Sequence, residues 1–299
     1  MDPSISLCKF GNSFTKSVDN PIVHTYVNKN GKITTSLVPS DQVVIEPDEV
    51  FDLFKNVSYN PFSSRDALVL ANVDMAFNFT KQQLGYIIKQ STQDYTFACV
   101  DDKTGGFTEY MLYRNPNSYG YSDHVLDETR INPINYNNLA GESREQNITE
   151  DLLEIEPEGL DAVVFGQTDL LSNLVVGLKT VKIGGTLVTP IPRLSKPIID
   201  LIYLTSRCFE KIGLIKPIST PFYLPKESNT HYLVGINSKV NNLDIISFLS
   251  QINQTVSVFP ELPSDYLDFI KSYVDSLNYE GNIDIYKCKA IWNLPQIDQ

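Results

Sequence analysis

Short apolar runs alternate with stretches of helical periodicity through the middle of this 299-residue chain. The runs are rich in β-branched and aromatic residues, which at this length favours buried strands over helices. Such strands are predicted at 95–100, 160–166, 186–191 and 231–237. Because helical stretches separate them, the pattern predicts an α/β domain with a mostly parallel central sheet and helices on both faces.

The helical periodicity places most of the helices. One is expected over about residues 64–88, where apolar residues recur every three or four positions and Ser63 or Ser64 can act as the N-cap. Further helices are predicted at 107–113, 197–209, 245–252, 265–274 and 285–292.

One more helix follows the strand at 160–166. Thr168 or Asp169 can cap its first turn, because a short polar side chain at this position accepts a hydrogen bond from the helix. The pair Gly184-Gly185 is expected to end this helix as a left-handed C-cap, just before the next strand.

Three regions are expected along the chain. Prolines interrupt residues 1–60, which predicts an irregular N-terminal extension. Residues 61–240 hold the strand–helix alternation, and residues 241–299 are predicted to form a helical extension of the same domain. The chain has neither a signal pattern nor an apolar run long enough for a membrane helix. The sequence therefore predicts an intracellular protein, cytoplasmic or nuclear, that is not secreted and has no membrane contact.

Charge narrows the choice of partners. Lys and Arg number 24 and Asp and Glu number 36, so the formal net charge is −12 at pH 7. Phosphate binding depends on Lys and Arg, so this balance disfavours RNA binding over a broad surface. The acidic stretch at 149–159 is expected to be solvated, with docking of a basic partner as the alternative.

The cysteines give no sign of a structural metal site. Cys8, Cys99, Cys208 and Cys288 are widely spaced and contain no CxxC pair. This spacing predicts neither a zinc site nor a disulfide framework, and buried thiols in a reducing compartment are the expectation. No metal is predicted elsewhere.

The segment FACVDDKTGGFTEYMLYR at 97–114 resembles the first motif of the FtsJ-like S-adenosylmethionine-dependent RNA methyltransferases, and most closely that of the mRNA cap-specific 2′-O-methyltransferases. Other motifs of the family are matched in the same order at 64–74, 159–168, 184–191, 208–221 and 289–295. The resemblance covers about residues 60–299. It implies a Rossmann-like methyltransferase fold, S-adenosylmethionine as the methyl donor and capped mRNA as the substrate.

The resemblance fails at the catalytic positions. The family uses a Lys-Asp-Lys-Glu tetrad to activate the ribose hydroxyl, and its four positions correspond here to Val69, Gly166, Pro190 and Thr230. A shift of one residue would place Thr189 at the third position instead of Pro190. None of these side chains can transfer a proton or hold a cation at neutral pH. The resemblance therefore implies that no catalytic residue remains.

The donor site implied by the resemblance is altered too. Cys99 stands where the family has an acid, and Lys103 and Thr104 replace the first glycine and the proline of its turn. A side chain in place of that glycine would crowd the ligand, and the Lys103 charge has the wrong sign for a sulfonium. The matching positions are Gly105, Gly106, Phe107 and, for an adenine-contacting Asp, Asn147. Binding of S-adenosylmethionine stays open on these residues.

Three functions follow from this pattern. The first is a catalytically degenerate member of the cap 2′-O-methyltransferase family, a pseudoenzyme that acts as a structural or regulatory subunit with protein partners in an RNA-capping or transcription assembly. The second is an active cap 2′-O-methyltransferase whose catalytic groups lie at positions other than those matched here. The nearby lysines are Lys179, Lys182 and Lys196, and none of them stands at the end of a predicted strand. The third is a module that binds RNA or the mRNA cap without chemistry.

Overall fold

A computed structural model describes part of the chain, and every structural statement below concerns that part. The described residues are 12–17, 62–80, 95–123, 136–139, 148–167, 169–191, 194–217, 230–239, 242–252, 257–276, 285–292 and 294.

The strands of the described residues form one eight-stranded sheet, in the order β1-β7-β8-β6-β5-β2-β3-β4. Their bounds are β1 Asn12–Ser17, β2 Thr96–Val100, β3 Tyr119–Ser122, β4 Tyr136–Asn138, β5 Leu160–Phe165, β6 Val181–Ile191, β7 Phe209–Lys216 and β8 His231–Ser238. Strands β2 to β7 run in one direction, and β8 and β1 run in the other. The predicted mostly parallel sheet is confirmed, and the fold is an open α/β sheet of the doubly wound, Rossmann-like kind.

Helices cover both faces of this sheet, as the sequence predicts. They are α1 Asp66–Phe77, α2 Gly106–Arg114, α3 Ile148–Ile155, α4 Leu170–Thr180, α5 Lys196–Cys208, α6 Leu243–Leu249, α7 Ser264–Ser276 and α8 Ile285–Ile291. Helices α1, α2 and α8 pack into the buried apolar cluster on one face. Helices α4 to α7 pack into a second cluster on the other face. The two clusters together form the core on either side of the strands.

Helix α1 is shorter than predicted. It ends at Phe77, because Asn78 adopts a left-handed conformation with φ 50° and donates its backbone N–H to the carbonyl of Asp74. Residues 81–88 of the predicted helix lie outside the described residues. At its start, Arg65 occupies the N-cap position, while the Ser64 hydroxyl accepts the Asp66 N–H at 3.2 Å. Ser64 thus satisfies one free amide of the first turn, as its residue type suggests.

The two ends of helix α4 differ in how well they were predicted. Asp169 is its N-cap, and the carboxylate accepts the Ser172 N–H at 3.3 Å, so this prediction is confirmed. The expectation that Gly184-Gly185 ends the helix is wrong. The helix ends at Thr180, and Val181 is already extended and pairs with Leu160. Gly184, with φ 77°, lies within β6 where the register against β5 shifts.

Helix α5 ends one residue earlier than predicted. Phe209 is extended, with φ −125° and ψ 157°, and begins β7. This strand continues to Lys216 and pairs with both β8 and β1. The apolar run from α5 into β7 has no turn residue between the two elements, so periodicity alone could not separate them.

Both terminal regions contribute to the sheet or its packing. Strand β1 pairs antiparallel with β7, in a register that sets Asn12 opposite Lys216. From the C-terminal region, Tyr273 of α7 is fully buried, and its hydroxyl lies 2.5 Å from Nδ1 of His231 at the start of β8. The boundaries at residues 60 and 240 stay predictions.

The cysteines require one correction. Cys99 and Cys208 are free and buried, as expected, and burial raises the pKa of the Cys208 thiol to about 12. Cys288, however, is disulfide-bonded, and the second cysteine lies outside the described residues. The interval between cysteines gave no signal for this bond, because a disulfide depends on which segments meet in space.

Within the described residues, no helix is long and apolar enough to cross a membrane.

Candidate functional site

The candidate site lies at the carboxyl ends of the parallel strands. The strand order reverses between β2 and β5, where the chain leaves these neighbouring strands toward opposite sides of the sheet. In open α/β sheets, this divergence creates the crevice in which ligands bind. The Gly166 N–H bonds to the Val100 carbonyl at 2.9 Å, which holds the two strand ends together at the crevice.

A tight turn connects β2 to α2 at this edge. Asp101 has a left-handed φ of 57°, and its carbonyl accepts the Lys103 N–H at 3.0 Å. The Asp102 carbonyl then accepts the Gly105 N–H, also at 3.0 Å. Gly105 is the N-cap of α2 with φ 70°, a conformation that glycine adopts without steric strain. The predicted donor residues Gly105, Gly106 and Phe107 all lie on this turn or in the first turn of α2.

Buried side chains hold the turn in place. One carboxylate oxygen of Asp102 accepts both the backbone N–H and the hydroxyl of Thr108, each at 2.8 Å. The Thr104 hydroxyl donates to Asp66 of α1 at 2.6 Å. Both Asp102 and Asp66 are fully buried. The protein's own hydrogen bonds therefore hold the turn in place.

Asp102 is also electrostatically unusual. Burial raises its pKa to about 7, partly offset by the hydrogen bonds from Thr108, while the nearby Asp66 carboxylate adds to the rise. Its second oxygen, Oδ1, is buried without a hydrogen-bond partner in the described part of the chain. An unpaired oxygen of this kind disfavours the ionised form, so the geometry and the raised pKa agree.

Two further carboxylates line the crevice. Asp123 follows β3 directly, and its Oδ2 accepts the Asp101 N–H at 2.8 Å. The Asp101 side chain accepts the amide of Gln167 at 3.3 Å. The pKa of Asp101 is raised, first by burial and then by Asp123, while Lys103 acts in the opposite direction. The carboxylate oxygens of Asp101 and Asp123 therefore lie close together at the crevice.

Sequence reasoning missed Asp123. In dinucleotide-binding α/β folds, an acid about 20 residues beyond the glycine turn accepts a hydrogen bond from a ribose hydroxyl. Asp123 stands in the corresponding place, at the end of the second strand, and its Oδ1 is buried without a partner among the described residues. The available signal was an acidic residue directly after the polar strand YGYS.

The other predicted donor positions are placed as follows. Cys99 is fully buried in β2 within the core cluster beneath α1, and burial raises its pKa well above the ordinary value for a thiol. Lys103 is exposed on the turn. Asn147 lies outside the described residues.

Three of the four tetrad positions meet at the same edge. Gly166 follows β5, Pro190 lies near the end of β6 opposite Tyr232, and Thr230 directly precedes β8. Thr189, the alternative third position, is fully buried and accepts the Asn173 amide at 3.0 Å. The structure thus brings Gly166, Pro190 and Thr230 to one edge of the sheet.

The fourth position, Val69, lies in α1. Its side chain is fully buried in the apolar cluster that α1 and α2 share with the sheet. A lysine there would have to place its charge within or beyond that cluster.

The Gly166 position has no room for a side chain. A Cβ atom at this residue would overlap the carbonyl oxygen of Asp101 and lie 2.9 Å from its carbonyl carbon. Both atoms belong to the backbone of the turn, which the hydrogen bonds described above hold in place. An aspartate at 166 therefore requires the Asp101 segment to move.

The three neighbouring lysines either lie far from this edge of the sheet or are bound to other groups. Lys182 pairs with Asp161 at 2.8 Å near the amino ends of β5 and β6, on the opposite edge of the sheet. Lys179, in the last turn of α4, lies toward that same edge. Lys196 is at the start of α5, but it pairs with the buried Asp200 and donates to the Phe259 carbonyl at 2.7 Å.

Comparison with known proteins agrees with the resemblance at a coarse level. No family model matches the chain. The chain is 24% identical over 293 residues to "Cap-specific mRNA (nucleoside-2′-O-)-methyltransferase 1" of Drosophila melanogaster, a match that covers 80% of this chain and 36% of that protein. The chain thus spans about a third of the length of this curated relative. The chain is thus similar in sequence to part of a methyltransferase.

The sequence identity to similar solved structures is lower than to this relative. One is a Streptococcus thermophilus protein described as a hemolysin, with 14% identity, 74% of this chain and 77% of that chain covered, and a TM-score of 0.43. A precorrin-6y C5,15-methyltransferase of Geobacter metallireducens has 10% identity, coverage of 65% and 100%, and a TM-score of 0.38. An O-methyltransferase family protein of Burkholderia thailandensis has 13% identity, coverage of 59% of each chain and a TM-score of 0.33.

Proposed function

We propose that this chain is a catalytically degenerate relative of the mRNA cap 2′-O-methyltransferases, and that it acts as a structural or regulatory subunit in RNA capping or processing. The main support for this proposal is the close approach of the Asp101 carbonyl to Gly166. Gly166 corresponds to the catalytic aspartate in the resemblance. The backbone of the turn between β2 and α2, which we call the donor turn, occupies the space that a side chain at 166 would need. The fold around residue 166 therefore leaves no room for a catalytic side chain.

The rest of the edge supports the same conclusion. Methyl transfer to a ribose hydroxyl requires a group that takes up or stabilises the hydroxyl proton. Pro190 and Thr230 cannot do this, and Val69 is enclosed by apolar side chains. Lys196 is held by Asp200 and by the Phe259 carbonyl, so it is not available for activating a hydroxyl.

The donor site is proposed to survive in part. When bound, S-adenosylmethionine would supply an activated methyl group on a sulfonium. The unpaired, buried Oδ1 of Asp123 fits a ribose hydroxyl, and its Oδ2 is bonded to the Asp101 N–H of the turn that leads to Gly105. Lys103 on the same turn opposes a sulfonium, because both groups are positive. The residues present therefore fit the nucleoside part of the donor better than its charged centre.

A single-turnover assay tests the proposal. The full chain is incubated with radiolabelled S-adenosylmethionine and an RNA that carries an unmethylated cap-adjacent ribose, with an active cap methyltransferase as the positive control. We expect no transfer above the level of the Asp123→Ala variant. Transfer that Asp123→Ala abolishes, and that Asp268→Ala on the exposed surface of α7 leaves intact, would instead establish the active enzyme.

Protein partners in a capping or transcription assembly follow from this proposal. An RNA- or cap-binding module without chemistry is the remaining alternative, and the net charge of −12 disfavours it for RNA in general. Titration with a cap analogue separates these two functions. Saturable binding without methyl transfer would favour the module over a subunit that contacts proteins only.

A further inference from the structure

The edge of the sheet opposite the donor turn exposes several large apolar side chains. Among the described residues, five large hydrophobic side chains are exposed, and three of them lie around the amino ends of β5 and β6. Ile155 ends α3 and is 41% exposed, Ile183 at the start of β6 is 67% exposed, and Leu243 at the start of α6 is 70% exposed. Single exposed apolar residues are ordinary, but a group of them marks an interaction surface.

An open groove of about 420 Å³ lies between these elements and is lined by both Ile183 and Leu243. Buried apolar side chains of α4, β6 and α6 complete its lining. Two lysines, Lys179 and Lys239, also line it, and none of the described lining residues is a carboxylate. The lining itself is therefore positively charged, in a chain with a net charge of −12.

An acidic segment runs beside the groove. Leu153 lines the groove, and Gly159 packs closely against the backbone of Thr180 and Lys182, so residues 154–158 extend along one side. Glu154 and Glu158 are exposed, and neither forms an ion pair with another described residue.

The opposite charges of this surface do not neutralise each other within one chain. Lys179 is exposed as well and has no ion-pair partner in the described segments. We call the surface formed by Ile155, Ile183, Leu243, Lys179 and residues 154–158 the amino-edge patch. It has an apolar centre, with a lysine on one side and carboxylates on another.

We propose that the amino-edge patch is the interface of a symmetric homodimer. A twofold interface uses the same patch on both subunits, so a surface with both charges beside an apolar centre is complementary to itself. Lys179 of one copy faces residues 154–158 of the other, and Ile183 and Leu243 form the centre. A uniformly acidic or basic partner would satisfy only one half of these charges. The donor crevice lies at the opposite edge and stays open in such a dimer.

The oligomeric state of the full chain tests this proposal directly. Light scattering after gel filtration should give twice the chain mass of 33.7 kDa. We expect Ile183→Asp and Leu243→Asp each to raise the dimer dissociation constant by at least about tenfold, because each places a carboxylate in a desolvated apolar contact. Both side chains are exposed in the single chain, so an unchanged unfolding temperature in dilute solution confirms that the fold is retained. Leu267→Asp, at a 44% exposed residue of α7, is the matched control and should leave the mass unchanged.

A charge variant tests the proposed pairing across the interface. Lys179→Glu should weaken the dimer, because it sets a carboxylate against the acidic segment of the second copy. Lys271→Glu makes the same change of net charge on the exposed surface of α7 and should have no effect. A monomer at every concentration that stays in solution would overturn the proposal. A dimer that resists both Ile183→Asp and Leu243→Asp would overturn it equally.

Discussion

Asp102 is fully buried beneath the donor turn, with one oxygen bonded to Thr108 and the other unpaired. Its pKa is about 7, compared with an ordinary value of 3.8. The folded state therefore binds a proton that the unfolded chain has lost over this interval. Stability from this group is complete below about pH 4 and falls as the pH rises toward 7. Each pH unit between the two pKa values corresponds to about 1.4 kcal/mol, and the group is half ionised at pH 7, so the loss between pH 5 and pH 7 is about 2 kcal/mol.

The variant Asp102→Asn removes this pH dependence. An asparagine has the same shape and keeps an oxygen for the Thr108 bonds, but it cannot ionise. Urea unfolding of both proteins at pH 5 and pH 8 measures the effect as a free energy of unfolding. We expect the variant to gain about 3 kcal/mol relative to the wild type between the two pH values.

Comparing differences cancels most of the titration of other groups. Asp268→Asn, at an exposed residue of α7, is the control and should follow the wild type at both pH values. If the free-energy difference between Asp102→Asn and the wild type is the same at pH 5 and pH 8, the reasoning from burial and the unpaired oxygen is refuted.

Three more predictions follow from the structure. Gly166→Ala should lower the free energy of unfolding by about 3 kcal/mol, since its Cβ overlaps the Asp101 carbonyl; an unchanged urea midpoint would contradict this. Asp200→Ala should cost about 3–5 kcal/mol in the same assay, because it leaves Lys196 without its buried partner, and a loss below about 1 kcal/mol would show that the pair is not a structural link. Lys103→Gly should increase the thermal shift produced by S-adenosylmethionine more than that produced by S-adenosylhomocysteine, which lacks the sulfonium charge. At a fixed concentration of a hundred times the wild-type dissociation constant, either ligand should stabilise the wild type by about 2.7 kcal/mol, and equal changes for both ligands with Lys103→Gly would remove the charge argument.

The apolar runs were sufficient to locate the inner strands β2, β5, β6 and β8. A strand covered on both faces is almost continuously apolar, so its sequence is distinctive. Strand β3, with the sequence YGYS, and strand β4, with YNN, lie toward one end of the sheet and carry no such signal. They form strands because β3 pairs with the free edge of β2, and β4 then pairs with the free edge of β3.

Local chemistry predicted helix ends only where the chain had no stronger alternative. Asp169 caps α4 as its type suggests, because the cap hydrogen bond involves a residue three positions away. Gly184-Gly185 does not end that helix, since Val181 is paired with Leu160 of β5 before the glycines are reached. A long-range strand pairing therefore decided what the local glycine signal could not.

The candidate site divides in the same way. Residue types and their order along the chain predicted the glycine turn and, through the resemblance, the absence of the tetrad side chains, since both depend on which residue stands at each position. The close approach of Asp101 to Gly166 joins residues from two different strand ends, and the bond from the Asp101 N–H to Asp123 joins two others. No local pattern records these contacts, because packing between distant segments of the chain sets the distances. The sequence therefore predicted which groups are absent, and only the folded chain showed that the Asp101 backbone fills the space beside Gly166.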